Sequence, residues 1–221
     1  MLARSQYPRF VRWVLELLHR RIRLNRVITM DGLQIQICPQ VFNPVTGRTT
    51  HFFIQHMQIK SGSRVLELGT GSGAIAAAAA QISPSVTATD ISPYAVKCAK
   101  ATLRLNGVEE YVRVLQGDLF APVEGETFDI ILFNPPYLRV DATSWIARAW
   151  CAGSNFELLS RFLKGARQML ANNGQIQILL SSATSILYII SIMKQTGYRI
   201  RILGKGRILG LLEQVFLFQL V

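Results

Sequence analysis

Between Arg64 and Ala80 a short apolar run, Val65-Leu66-Glu67-Leu68, passes into a turn with glycines at 69, 71 and 73 and then into an alanine-rich stretch beginning at Ala74. The order reads strand, turn, helix. It constrains the fold more than any other segment, because a buried strand feeding straight into a helix is the unit of a layered α/β sheet. Glycine permits positive φ and carries no side chain, so backbone at Gly69, Gly71 and Gly73 can approach a ligand closely, and N–H groups where the helix begins can face it. Asp90 lies 21 residues beyond Gly69, at the end of a second run, Val86-Thr87-Ala88-Thr89. An acid there suits ribose hydroxyls, and Ala74 lets the turn satisfy the loose dinucleotide fingerprint as well. The loop indicates a nucleoside-containing cofactor and leaves open which one.

The alternation continues along the chain. Ser92-Pro93 supplies an N-cap and a first-position proline for a helix running to about Asn106-Gly107. A helix over residues 155–170, stopped by Asn172-Asn173-Gly174, is followed by a strand over 175–180 and a helix over about 183–196, stopped by Gly197. Strands over 198–203 and 213–220, joined at Gly204-Lys205-Gly206-Arg207, form an antiparallel hairpin at the sheet edge. Such a pattern predicts a doubly wound sheet with helices on both faces and ligands at the carboxyl ends of the strands.

At one such end, after Phe128-Asp129-Ile130-Ile131-Leu132-Phe133, stands Asn134-Pro135-Pro136-Tyr137. Asn134 offers a side-chain carbonyl, and Pro135 a backbone carbonyl whose direction the two pyrrolidine rings restrict. Two acceptors at one point can take both N–H protons of a planar amine or amide while the Tyr137 ring stacks on its flat face. Taken alone, the tetrapeptide is equally ordinary loop punctuation.

Together the two segments resemble the class I S-adenosylmethionine-dependent methyltransferases, in particular those with Asn-Pro-Pro-Tyr after the fourth strand. The resemblance covers roughly residues 40 to 221. It implies a doubly wound, mostly parallel, seven-stranded Rossmann-like α/β sheet with an antiparallel last strand. It also implies S-adenosyl-L-methionine as cofactor. Glu67 would then help hold the methionine amino group, with Gly69, Thr70, Gly71 and Gly73 passing beneath the cofactor. Asp90 and Ile91 would lie at the ribose, Asp118 and Leu119 in the turn Gln116-Gly117-Asp118-Leu119 at the adenine, and Asn134 at the methyl group. Asn134, Pro135 and Tyr137 would be the catalytic residues.

The segment Val41-Phe42-Asn43-Pro44-Val45-Thr46-Gly47-Arg48-Thr49-Thr50 is similar to the one that folds over the cofactor in the release-factor glutamine N5-methyltransferases and their compact relatives. The closing run Leu212-Glu213-Gln214-Val215-Phe216 is similar too. Two departures stand out. Gly47-Arg48 replaces the acidic pair those relatives carry, and Ala152-Gly153-Ser154-Asn155-Phe156 replaces their glycine-rich turn.

Composition fits one enzyme domain, with residues 1–40 as an N-terminal basic helix and lead-in, and 41–221 as the methyltransferase domain. Cys38, Cys98 and Cys151 are odd in number and have no CxxC spacing, which reads as three reduced thiols and a cytoplasmic setting. His19, His51 and His56 lack ligand spacing, so no metal is expected. Residues 168–193 are uncharged, but their Asn, Gln and Ser content fits a buried strand and a covering helix rather than a membrane span.

The formal net charge is +11, and the first 26 residues hold seven arginines against Glu16. Arg9, Arg12, Arg20 and Arg23 recur at helical spacing beside an apolar face of Phe10, Val14, Leu17 and Leu18. This basic stripe is either a solvated face or a landing surface for RNA, a ribosome-associated protein or an anionic membrane. Three acceptors follow from the residues and the resemblance: a protein glutamine, an adenine N6 amine of RNA or DNA flipped toward Tyr137, or a small-molecule amine. A noncatalytic scaffold binding S-adenosylmethionine or RNA is the alternative outside enzymology.

Overall fold

The computed structural model describes residues 26–221 apart from 138–140, 143, 150, 154–155, 183 and 209–212. The expected basic helix lies outside the described residues. Strands β1 (Arg26–Met30) and β2 (Leu33–Ile37) pair as an antiparallel hairpin where only a lead-in had been expected. Helical segments α1 (Pro44–Gly47) and α2 (Thr49–His56) follow, then β3 (Val65–Leu68), α3 (Ala74–Ala80), β4 (Val86–Asp90), α4 (Pro93–Leu105), β5 (Val112–Gln116) and β6 (Phe128–Phe133). Beyond them come α5 (Trp145–Arg148), α6 (Glu157–Ala166), β7 (Leu170–Ser181), α7 (Ile186–Gln195), β8 (Ile200–Ile208) and β9 (Glu213–Leu220).

Strands β3 to β9 form one sheet in the order β5-β4-β3-β6-β7-β9-β8, with β9 antiparallel to both neighbours and the other described pairs parallel. Period-two alternation divides the core between the two faces. Val65, Ile130 and Leu132 join the buried α3 alanines and Phe53 on one side, while Leu66, Leu68, Ile131 and Phe133 meet Leu159, Phe162 and Leu163 of α6 on the other. Every residue of α3 is buried. Methyl-sized side chains let this helix sit between the sheet and the Leu33, Ile35 and Ile37 face of the hairpin. Burying those three side chains stabilises the docked hairpin by roughly 2 kcal/mol each. Asn106 secures it by accepting from Gln34 N–H and donating to Gln34 C=O.

Several local signals act as expected. The Ser92 side chain caps α4 by accepting from Ala95 N–H, and Pro93 opens that helix. The uncharged 168–193 stretch is strand β7 followed by α7. Among the described residues no helix is long and apolar enough to cross a membrane.

Other boundaries move for reasons of packing. The helix predicted over 155–170 is α6, ending at Ala166, and a 3-10 turn leads into β7 at Leu170. Asn172, Asn173 and Gly174 therefore sit inside β7, where the pairing with β6 shifts register. Gly204 to Arg207 are not a turn but part of β8, and the β8–β9 connection falls in 209–212, outside the described residues. A Cβ on Gly204 would lie 2.5 Å from the His56 ring and one on Gly206 2.6 Å from Phe52. These glycines let α2 lie flat on the strand. Phe156, in the departed turn, holds a left-handed conformation (φ 57°) with its ring buried in the α6 and α7 core.

The expectation of three reduced thiols is overturned. Cys38 and Cys98 form a disulfide, with Cα atoms 6.0 Å apart, while Cys151 is free and buried. The partners stand 60 residues apart in sequence and meet only because the hairpin docks on α4. Closing a loop of that length stabilises the fold by about 4 kcal/mol in the chain-entropy account. Replacing both with Ser is expected to lower the urea midpoint of the oxidised protein, and added dithiol reductant should then have no further effect.

Candidate active site

Register assembles the site. Leu68 of β3 pairs with Thr89 of β4 and with Phe133 of β6, so Gly69, Asp90 and Asn134 leave the sheet side by side. Asp90 in turn pairs with Gln116 of β5, which brings Gly117, Asp118 and Leu119 to the same end. One pocket is lined there by Glu67, Gly69, Thr70, Gly71, Asp90, Ile91, Asp118, Leu119, Asn134, Pro135 and Tyr137. Of the expected site residues only Gly73 stands outside this wall. A Cβ on Gly73 would sit 2.7 Å from Ala99 Cα, so this glycine lets α3 close on α4.

The loop is built to leave room. Gly69 (φ 66°) and Gly71 (φ 55°) hold left-handed backbone, and a Cβ on either would meet nothing closer than 3.8 Å. Such a Cβ would enter the space a ligand needs. Asp90 pins the loop by accepting from Gly71 N–H (2.9 Å) and Ser92 N–H (2.9 Å), each through a different carboxylate oxygen.

Glu67 is 2% exposed and accepts from the Thr70 hydroxyl at 2.7 Å. Burial pushes its pKa up to about 8 against the pull of that hydrogen bond, and the neighbouring Asp90 charge adds to the rise. Burial also raises Asp90, opposed by the N–H groups of Ser92, Gly71 and Ile91. A cation in the pocket would favour the charged form of both acids. An ammonium-bearing ligand therefore fits this donor set.

At the acceptor end the Tyr137 hydroxyl donates to the Asn134 side-chain carbonyl. The ring had been expected to supply a stacking face alone; in this structure its hydroxyl occupies the very acceptor an incoming N–H would use. Asp118 is engaged as well, taking Arg161 of α6 at 2.7 Å across exposed surface.

Sequence reasoning also missed part of the wall. Gln40, Val41, Phe42, Thr49 and Thr50 belong to it; the segment from Val41 to Thr50 had been singled out as a whole with no site role for its single residues, and Gln40 lies just outside it. Trp145, Arg148 and Leu158 form another part, with no local pattern to signal them. Among the described residues no cluster of three His, Cys, Asp or Glu stands ready for a metal ion.

The model of the methyltransferase small domain matches residues 38–202. The chain belongs to that family. A putative protein N5-glutamine methyltransferase of Methanocaldococcus jannaschii is 32% identical over 190 residues, covering 82% of this chain and 93% of that protein. A release factor glutamine methyltransferase of Gloeobacter violaceus is 38% identical over 110 residues, but the match covers 48% of this chain and 38% of that longer protein. In fold, a methyltransferase from Pyrococcus furiosus superposes with a TM-score of 0.64 at 21% identity, covering 95% of this chain and 98% of that one. The sheet described above is the fold that structure shares.

The buried acids set a pH dependence. Glu67 binds its proton more tightly folded (about 8) than at its ordinary 4.5, so the folded state holds more protons between these values. That contribution to stability is full below about 4.5 and is lost as pH rises toward about 8. Asp90, also raised, acts in the same direction. The ligand-free protein should therefore show a falling urea midpoint across this window, and Glu67→Gln should remove most of the slope. An unchanged slope in the Gln variant would mean that Glu67 is ionised in the fold.

Proposed function

We propose that the protein is an S-adenosylmethionine-dependent N-methyltransferase whose acceptor is the side-chain amide of a protein glutamine. The observation that carries this is the arrangement at Asn134, Pro135 and Tyr137, which places a side-chain carbonyl and a rigid motif backbone beside an aromatic ring at the mouth of the pocket. The Methanocaldococcus jannaschii relative named a putative protein N5-glutamine methyltransferase, matched over most of both chains, supports it.

S-adenosylmethionine, when bound, supplies an electrophilic methyl group. Glu67 and Thr70 would hold its amino end, Gly69 and Gly71 would form the floor beneath it, and Asp90 would take the ribose hydroxyls through its remaining lone pairs. Ile91, Asp118 and Leu119 would border the adenine. Gly73 contributes by setting the α3–α4 distance rather than by contact.

An amide nitrogen is a poor nucleophile because its lone pair is delocalised into the carbonyl. Asn134 and Pro135 would answer this by accepting hydrogen bonds from its two N–H groups, which fixes the plane of the amide and lets electron density build on nitrogen; once the N–C bond has formed, one of these protons leaves to water and the other stays on the methylated amide. In the acceptor-free site the Tyr137 hydroxyl satisfies the Asn134 carbonyl, so that group is not left bare before the amide displaces it. Residues 41–221 would carry out these steps. A relative is named a release factor glutamine methyltransferase, and we place the protein in the cytoplasm on that likeness alone, because the Cys38–Cys98 disulfide removes the ground its thiols had offered.

Asn134→Ala is expected to lower kcat by about a hundredfold, roughly 3 kcal/mol of transition-state stabilisation, with a smaller effect on cofactor binding. Tyr137→Ala should weaken acceptor binding more than Tyr137→Phe, which keeps the ring and releases Asn134. Tritiated methyl incorporation into separated cell protein, RNA and small molecules tests the assignment directly. Label appearing in RNA and absent from protein would refute the glutamine acceptor.

A further inference from the structure

We propose that Arg148 is a specificity-determining residue that binds a carboxylate of the protein acceptor close to the methylated glutamine. This rests on the glutamine reading above and adds to it what the acceptor must carry beside that side chain.

Arg148 ends the single helical turn α5, which the chain enters soon after Tyr137. The Ser144 hydroxyl accepts from Ala147 N–H at 3.2 Å, and Ala147 is 2% exposed, so the turn is anchored from within. Trp145 and Arg148, three residues apart, share one side of it. The Arg148 guanidinium carbon lies 5.1 Å from the centre of the Trp145 ring. Trp145 in turn meets Tyr94 edge to face, with ring centres 6.5 Å apart and an interplanar angle of 68°. Tyr94 belongs to the first turn of α4, two residues beyond the pocket-lining Ser92. The cation is thus braced on an aromatic pair that links both sides of the pocket mouth. A guanidinium seated over a ring still has N–H groups to offer a planar, bidentate partner.

Among the described residues no acid stands within ion-pair distance of those N–H groups. Among the described residues the ion pairs engage Arg64, Arg104, Arg113, Arg161 and His51, and none includes Arg148. Of the residues lining the pocket, Arg148 is the single Lys or Arg. Glu67 and Asp90 lie deep at the glycine loop, and Asp118 is already taken by Arg161. One pre-oriented guanidinium suits one carboxylate, held by two parallel N–H···O bonds. A nucleic-acid backbone would ask for several cations along a track, which the described mouth does not present.

The test uses synthetic peptides with one glutamine in a glycine-rich context and Asp, Asn or Lys at each neighbouring position. Labelled methyl transfer to these is measured with the wild-type chain, Arg148→Ala, Arg148→Lys and Arg148→Glu, together with binding of S-adenosylhomocysteine. The wild type should favour Asp over Asn at one position by about tenfold or more in kcat/KM, expressed mainly in KM. Arg148→Ala should lose that preference, Arg148→Lys keep part of it, and Arg148→Glu favour Lys instead, all with unchanged S-adenosylhomocysteine affinity. Equal methylation of Asp and Asn peptides by the wild type, or a preference that survives in Arg148→Ala, overturns the role of Arg148 and leaves the glutamine acceptor standing. A loss of S-adenosylhomocysteine affinity in Arg148→Ala that matches its loss of kcat/KM assigns the residue to the cofactor and also overturns the proposal. Methylation of RNA with no methylation of any peptide overturns both it and the glutamine reading.

Discussion

The parallel ladder at the centre of the sheet is the constraint on which the rest depends. Leu68 stands opposite both Thr89 and Phe133, so three chain segments leave the same edge at the same height. A slip of one residue in either pairing would turn side chains to the opposite face and move Asp90 or Asn134 away from the glycine loop. The buried faces oppose such a slip, because Val65 and Leu66 belong to different cores. Stability and function thus rest on the same register.

Within that frame the site is maintained by polar groups that occupy one another. Asp90 ties the glycine loop to the start of α4, Thr70 donates to Glu67, Tyr137 donates to Asn134, and Arg161 meets Asp118. Buried polar groups are costly when unsatisfied, so the contacts at Glu67, Asp90 and Asn134 stabilise the fold, while the exposed Arg161–Asp118 pair adds little. Glu67 is the exception in degree. Its burial favours the neutral form, and a cation beside it would favour the charged one.

Much of the fold and most of the site could be read from local chemistry. Ser92 and Pro93 start a helix because an N-cap oxygen and a preset φ act within one turn. Gly69 and Gly71 mark the loop because positive φ is a property of a single residue. What failed was reading glycine as a turn signal wherever it clustered. Gly204 and Gly206 are small because the Phe52 and His56 rings lie on them, and no window around residue 204 contains those rings. The hairpin of Arg26–Met30 and Leu33–Ile37 was missed although Asp31-Gly32 is a fair turn signal. Phe156 likewise takes a backbone conformation that glycine adopts without strain, and the core packed around its ring holds it there.

The sequence by itself determined the alternation of strands and helices from β3 onward, the glycine loop, the acids at 67, 90 and 118, and the rigid tetrapeptide after β6. These follow from φ preference, side-chain chemistry and periodicity, all of which act over a few residues. Only the tertiary structure decided that Cys38 bonds Cys98, that Arg161 takes Asp118, that Gly73 serves packing, and that Trp145 and Tyr94 brace Arg148 at the mouth. Each joins residues from separate elements whose distance is set by sheet register and by the helices packed over it, and that distance is not a property of any segment alone.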